Sequence, residues 1–571
     1  MRLGKKYLLI ILVGILLSTT CIVGCLGETA AQMEPLKQHV DYVLSTAPLS
    51  LDPANLQNEA GYQLWVNMFE GLVRLQPDGT LEKAMAQDWQ IEDEGEKYIF
   101  TLRETAAWSN GQKVTAHDFV FALKRNLAPS LDCSYAYLLY DIKNAEAYHR
   151  SLEQDFFGHK AKEDDVGIWA EDESTLVIEL EQKEPAFITK LIHPVFYPLP
   201  VQAFQGKNEA LPSVNEDFFI VSNLIGNGPF KLQQTETETD QQQAEAAKQE
   251  SAAEEKYALV QNDSYWDKDT VILESMDWYL PTKDVSPWEL FKGKKNDLTI
   301  DIPFTEVAGG LKKGNLQKSP LLATYYYQFN VKQKPLADIR VRKALSFALE
   351  RRELIEKVLQ GGQEPAQGLI PRGMADSSTD SDFRLKSTVK IPDNNLKEAQ
   401  RLLTEAGYPH GEGFPELELL VSNSGGHQYL AEKIAEHWAE SLGIKAKVIP
   451  LAWRELVKRT GERDYDIGLL GWAADYPDPS AFLKYFVTGS GNNDTGWFNQ
   501  EYDRLIKEAI NSEDADLRLQ AFHQAEEILL TELPLLPIYE YNKVYAVKEK
   551  IEGLFISPLG YGVDFKWTFL K

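Results

Sequence analysis

Polar and apolar residues alternate with a period of two through "WQIEDEGEKYIFTLRE", and the alternation turns over at Glu94-Gly95. That spacing predicts a β-hairpin with one face buried. Upstream, the stretch from Gln38 to Asp52 predicts a strand ending in a turn at "LSLDP", and "LWVNMFEGLVRL" predicts a helix followed by a strand. Downstream, "TAHDFVFALKRNL" places Phe119, Leu123 and Leu127 on one helical face behind Thr115, a residue type that caps helix N-termini. "STLVIEL" reads as a further strand. "GNGPFKL" and "YALVQNDSYW" predict two strands of one hairpin. Between them, residues 233–256 carry no aromatic and no large aliphatic residue, so they are expected to form a solvated surface insertion.

The second half changes period. Asp338 is placed to cap one helix over "IRVRKALSFALERRELIEKVL", stopped by Gly361 and Gly362. "NNLKEAQRLLTEAG" predicts a helix ended by Gly407, "LELLV" a strand, "HQYLAEKIAEHWAESLG" a helix closed by Gly443, and "IKAKVIPL" a strand. "RELVKRTGERD" then leads into the strand "YDIGLLGW". Strand–helix–strand units of this kind build a sheet whose ligand crevice lies at the carboxyl ends of the strands. Trp472, Ala473, Ala474 and Asp475 stand at such an end. Asp475 is therefore either a turn residue or a fixed carboxylate facing a cavity.

Length and composition narrow the class. A chain of 571 residues is too long for one core, and 43% hydrophobic with 25% charged residues is the balance of a folded protein. The net charge of −27, with no basic stripe, excludes nucleic acid as an expected partner.

The N-terminus adds a destination. Arg2, Lys5 and Lys6 precede an apolar run from Tyr7 to Leu17, which reads as a secretory signal. Ile22-Val23-Gly24-Cys25 resembles a bacterial lipobox, which would make residues 1–24 the signal peptide and Cys25 an acylated N-terminus. Two or three acyl chains, at about 0.8 kcal/mol per buried CH₂, hold a soluble domain on a membrane. The mature chain would then carry −30, since residues 1–24 hold three basic side chains and no acid. Of the three cysteines, only Cys133 would remain as a free thiol, so no disulfide framework is expected.

No HExxH, GxSxG, phosphate-binding GxxxxGK[ST] or CxxC occurs. No metal and no cofactor are expected. A secreted hydrolase using a carboxylate pair stays open, because an acidic chain offers many such pairs.

Six segments carry a resemblance. "LSLDPANLQNEAG", "AQDWQIEDEGEKYIFTLRETAAWSNGQKVTAHDFVFALKR", "NGPFKL", "NDSYWDKDTV", "TYYYQFNVKQKPLADIRVRKALSFALERRELIEKV" and "GWAADYPDPSAFL", in that order, resemble the oligopeptide-binding proteins of ABC importers, in the peptide and nickel family of extracellular solute-binding proteins. The resemblance implies an α/β fold like that of type II periplasmic binding proteins, with three lobes, two of which close on the ligand. Lobe I would comprise residues 25–69, 196–322 and 540–571, lobe II residues 70–195, and lobe III residues 323–539. The implied protein is a monomeric receptor, not an enzyme. It would be anchored through Cys25 on the outer face of a bacterial membrane and pass oligopeptides to the permease. A nickel chelate, haem or an oligosaccharide is the alternative ligand, and a signalling role stays open.

In the peptide-binding members the residue matching Asp475 pairs with the ligand's α-ammonium. By the same resemblance Gly471, Trp472 and Ala473 would bind the peptide main chain, and Asn58 and Glu59 would form the facing lip. Trp453, Trp472, Tyr135 and Tyr326 would line side-chain pockets. Where enteric relatives place an arginine for the peptide carboxylate this chain has Leu469, and their "TYYYE" is "TYYYQ", ending in Gln328. His427, Arg454 or Lys458 are the remaining candidates for that carboxylate.

Overall fold

The computed structural model describes residues 37–153, 158–204, 216–233, 256–281, 286–376 and 378–571. Cys25 and nearly all of the acidic insertion lie outside these residues.

The first strand is shorter than the alternation predicts: β1 covers His39–Val43. Asp52 ends the segment by another route. It caps the turn Pro53–Asn55 through a hydrogen bond from the Ala54 N–H and accepts a charged pair of bonds from Arg125. Helix α1 (Glu59–Met68) follows, capped by Asn58.

The predicted hairpin is present as β2 (Ala86–Glu92) and β3 (Lys97–Leu102), paired antiparallel. Asp93, Glu94 and Gly95 all take positive φ at its tip, a conformation that glycine and acidic turn residues tolerate best. Helix α2 (Ala116–Asn126) starts as expected. The Thr115 N–H and hydroxyl both donate to the Asp118 carboxylate at 2.8 and 3.0 Å. With β4 (Ile168–Ala170) and β5 (Thr175–Glu179) the hairpin completes a four-stranded sheet in the order β2-β3-β5-β4.

Strands β6 (Phe230–Leu232) and β7 (Lys256–Gln261) pair antiparallel on either side of the insertion. Then come β8 (Ser275–Tyr279), β9 (Leu298–Thr299) and the 13-residue β10 (Gln317–Phe329).

The single helix expected after Asp338 is broken. Helix α3 ends at Ala348, and helical turns resume only at Arg351. No glycine or proline marks the break; the buried guanidinium of Arg351 does. It donates to Pro537 O at 2.7 Å and to Ser346 Oγ at 2.9 Å, and pairs with Asp393 at 3.2 Å. A guanidinium has five donors and cannot be buried without acceptors, and the frayed end of α3 supplies some of them.

The α/β unit beyond it matches the expected order: β11 (Leu417–Ser422), α4 (His427–Leu442, ended by Gly443 at φ 71°), β12 (Ala446–Leu451), α5 (Trp453–Gly461) and β13 (Ile467–Ala473). The Trp438 indole locks α4 onto α3 by donating to Leu345 O at 2.9 Å. Helix α6 (Ala515–Glu532) and the 13-residue β14 (Leu535–Val547) complete the set used below.

One 11-stranded sheet joins the halves in the order β12-β11-β13-β10-β14-β9-β1-β8-β7-β6, with the short strand Glu364–Pro365 added on β14. Strand β14 pairs with β10 along most of its length and then with β9, so β10 and β14 cross from one half to the other. The ladder between them skips residues between Pro320 and Thr324, an irregularity of the kind that bends strands. A second core lies inside the α/β unit, around Tyr327, Trp438 and Ile467. Among the described residues no helix is long and apolar enough to cross a membrane.

Candidate ligand-binding site

Strand β13 explains why the site is where it is. On one side it pairs with β10 from Ile467 to Ala473. On the other side its ladder with β11 covers only Ile467 and Gly468. From Leu469 to Ala473 that edge has no strand partner among the described residues. The Ala474 N–H closes the β10 side by donating to Leu322 O at 2.8 Å, and Asp475 follows.

Asp475 is half-buried and has no ion-pair partner among the described residues. Its Oδ2 accepts from the Tyr137 hydroxyl at 2.8 Å, and its carbonyl accepts from the Tyr561 hydroxyl at 3.1 Å. Burial pushes its carboxyl up to about 6, against hydrogen bonds from Tyr137 and Tyr485 that lower it. The phenols of Tyr137, Tyr485 and Tyr561 are in turn raised, first by burial and then by the facing carboxylate, so they stay protonated as donors. Tyr62 stacks on Tyr561 at 4.9 Å, and Tyr135 meets Tyr62 edge-on at 6.2 Å. Behind them His193 is held neutral, its pKa lowered to about 3 by burial. Its Nδ1 accepts from the Val195 N–H at 3.1 Å, which leaves the proton on Nε2, 3.3 Å from the Tyr62 oxygen.

A cavity of about 300 Å³ lies along the end of β13, and Asp475, two residues past Ala473, is not among its lining residues. Gly471, Trp472, Ala473, Trp453 and His427 all line it, together with Leu469. Burial lowers the His427 imidazole, which stacks on Tyr325 at 5.5 Å. Tyr326 is not part of the cavity wall. Its neighbour Tyr325 takes the place, because successive strand residues face opposite ways and Tyr326, 2% exposed, lies against Phe486. Tyr541 is a lining residue that the motifs do not point to. A Cβ on Gly471 would stand 3.2 Å from its hydroxyl, so glycine keeps that approach open.

Tyr135 sits at the Asp475 end, donating to Leu56 O at 3.2 Å. Asn58 spends its amide on local structure. Its Oδ1 accepts from the Gly61 and Leu49 N–H groups, and its Nδ2 donates to Thr46 Oγ1 and Ala47 O. Glu59 Oε2 accepts from Lys543 Nζ at 2.9 Å, while its Oε1 is buried without a partner. Neither residue lines the cavity. Arg454 and Lys458, on α5, do not line it either.

Away from the cleft, His39, Asp41 and Asp277 bring potential metal-ligand atoms within 4.8 Å of one another. All three are already engaged: Asp277 with Lys256 at 2.6 Å, His39 with Ser275 at 2.8 Å, and Asp41 as acceptor from the Tyr279 hydroxyl at 3.2 Å.

Residues 80–494 match the middle region of the bacterial extracellular solute-binding proteins, family 5. The chain belongs to that family. This family 5 protein is 33% identical over 522 residues to the dipeptide-binding protein DppE of Bacillus subtilis strain 168, across 91% of this chain and 90% of that protein. Among solved structures it resembles the periplasmic murein tripeptide binding protein MppA in its unliganded open form. That likeness has a TM-score of 0.76 and 28% identity, over 94% of this chain and 98% of that one. Listeria monocytogenes OppA bound to peptide matches with a TM-score of 0.68 and 27% identity, over 94% and 99%. The arrangement of this family 5 protein is nearer to the first of those structures than to the second. Its fold is the α/β fold of type II periplasmic binding proteins, and the relatives are solute-binding proteins rather than enzymes.

Proposed function

We propose that this protein captures oligopeptides outside the cell and delivers them to the permease of an ABC importer. The observation that carries the reading is a half-buried carboxylate with no ion-pair partner among the described residues, preceded along the strand by an unpaired edge. A carboxylate taken out of water without a cation is costly, and an α-ammonium brought by the ligand supplies one. Every free peptide brings that ammonium whatever its sequence. The open edge of Leu469–Ala473 offers main-chain hydrogen bonds that are equally indifferent to side chains. The names of DppE and of the peptide-bound OppA are in keeping with such a ligand. Lobes closing on the peptide about the crossing strands β10 and β14 would exclude water from both contacts.

Mass spectrometry of the small molecules released on denaturing the purified protein tests the reading. Peptides with free N-termini are expected. A haem, a nickel chelate or a sugar recovered in their place overturns it.

Affinity should also follow pH. The ammonium needs the ionised form of Asp475, whose carboxyl burial pushes up to about 6. Between pH 7.5 and pH 5 the association constant for free peptides is expected to fall by about tenfold, one decade per unit below the midpoint. His427 also titrates in the cleft, and N-acetylated peptides report on it separately. Calorimetry showing the same fall for acetylated and free peptides would remove Asp475 from the explanation.

Anchoring through Cys25 belongs to the same proposal and rests on the Ile22-Val23-Gly24-Cys25 stretch. Cys25→Ser is expected to leave the precursor unprocessed and without acyl label in cells fed labelled palmitate. Equal labelling of the variant contradicts the assignment.

A further inference from the structure

Close along the chain to the groups that touch Asp475, six charged side chains meet from two distant parts of the chain. Asp141, Glu184 and Lys190 come from the part that carries the four-stranded sheet. Asp478, Lys484 and Arg518 come from the segments after β13. Three carboxylates thus face three cations. Glu184 is 2% exposed and Lys190 4%, so this is not a solvated surface cluster.

Glu184 is the member that joins the two parts. Its Oε2 accepts from Lys190 Nζ of its own side at 3.3 Å and from Lys484 Nζ of the other side at closer range. Lys190 is also paired with Asp141. Arg518 Nη2 donates to Asp478 Oδ1 at 2.8 Å, and the Asp478 carboxylate caps the turn at Ser480. Burial alone would raise the Glu184 carboxyl, but Lys190 and Lys484 outweigh it and hold the group below its ordinary range.

The neighbours of this network along the chain are the groups that touch Asp475. Tyr485, which hydrogen-bonds the Asp475 carboxylate, directly follows Lys484. Tyr137, which donates to Oδ2, lies four residues before Asp141. Tyr476 follows Asp475 itself, and the Lys190 ammonium stands 5.2 Å from the centre of its ring. One phenol donor therefore comes from each part of the chain, and the Glu184–Lys484 pair is the buried link between those parts, with the more exposed Lys183–Glu513 pair beside it in sequence.

We propose that Glu184 is a positioning residue for the ligand-ammonium site: through Lys484 it holds the two parts of the chain at the spacing at which Tyr137 and Tyr485 converge on Asp475. The inference rests on the peptide-binding reading given above. Glu184 touches no ligand in this account. It sets the geometry and acidity of the carboxylate that does. The groups facing Asp475 are the phenols of Tyr62, Tyr135, Tyr137, Tyr485 and Tyr561, with no cation among them, so misplacing the two donors should leave the carboxylate harder to ionise.

Glu184→Gln keeps the shape and removes the charge that holds Lys484. In the full-length protein it is expected to weaken binding of a free tripeptide by about tenfold at pH 7, the scale of an effect relayed through a packed network rather than of a lost ligand contact. The midpoint of the affinity-versus-pH curve should move upward, and binding of the N-acetylated peptide should stay as in wild type. Glu184→Asp, which keeps the charge, is expected to recover part of the affinity. Lys484→Gln provides a second route, since its side chain is 26% exposed and Lys190 still neutralises Glu184 when it is lost. It should reproduce the shifted midpoint even if Glu184→Gln does not fold. If either folded variant binds free peptide as wild type does, with the midpoint unmoved, the network is structural only and the proposal fails. If wild type itself shows no preference for free over acetylated peptide, the peptide-ammonium reading fails instead.

Discussion

Asp475→Asn is expected to weaken binding of free peptides by roughly thirtyfold to several thousandfold. The substitution keeps shape and one acceptor and removes the charge. Truncating one partner of a desolvated charge pair costs about 2–5 kcal/mol, which sets that range. N-acetylation of the peptide removes the other partner, so the two changes should not add. Calorimetry on the four combinations yields a coupling energy, and a coupling near zero with tight wild-type binding would make Asp475 a plain turn residue. The empty protein should respond in the opposite direction. The folded-state pKa of Asp475 is raised from 3.8 to about 6, so the native state binds the proton more tightly than the unfolded chain. Stability is then lost as pH rises from about 4 to 6 and stays lost above it. The asparagine variant escapes this and is expected to gain of the order of 2–3 kcal/mol at pH 7 without ligand. Lower affinity with higher stability is a combination that general damage to the fold does not produce.

Arg384→Met is expected to lose about 3–5 kcal/mol of stability, the cost of leaving a buried charge without its partner. Arg384 and Glu526 are both fully buried and joined through Nη2 and Oε1. Oε1 also accepts from the N–H groups of Leu369 and Ile370, each at 3.0 Å, and Arg384 Nε donates to Ile370 O at 2.9 Å. The pair thus ties α6 to the segment around Leu369 and Ile370. The double variant Arg384→Met, Glu526→Leu should regain a large part of the loss, since replacing both charges removes the orphan. Urea denaturation of the two variants decides this, and a single variant losing less than about 1 kcal/mol contradicts a charged pair.

How much of this was legible follows from how local each signal is. The hairpin at Glu94-Gly95 and helix α4 with Gly443 at its end are written in adjacent residues, and both stand as read. The break after α3 is not, because its cause is Arg351 reaching Pro537 across 186 residues of chain and Asp393 across 42. In "TYYYQ" three successive tyrosines hide the strand register, and it is Tyr325 rather than Tyr326 that lines the cavity. Asp475 is legible as an acid at the end of a buried strand. Its surroundings are not, since Tyr62, Tyr137, Tyr485 and Tyr561 are assembled only by the fold. The same holds for Glu184 and Lys484, 300 positions apart.

The bare edge of β13 from Leu469 to Ala473 has a further consequence. Unpaired strand edges are ordinarily sticky, and proteins shield them from one another with charges, bulges or covering loops. Here the edge lies beside a cavity lined by Trp453, His427 and Tyr541. Left unpaired, this edge is where strand pairing with a second copy of the chain would start, so a ligand strand filling it would also guard against self-association.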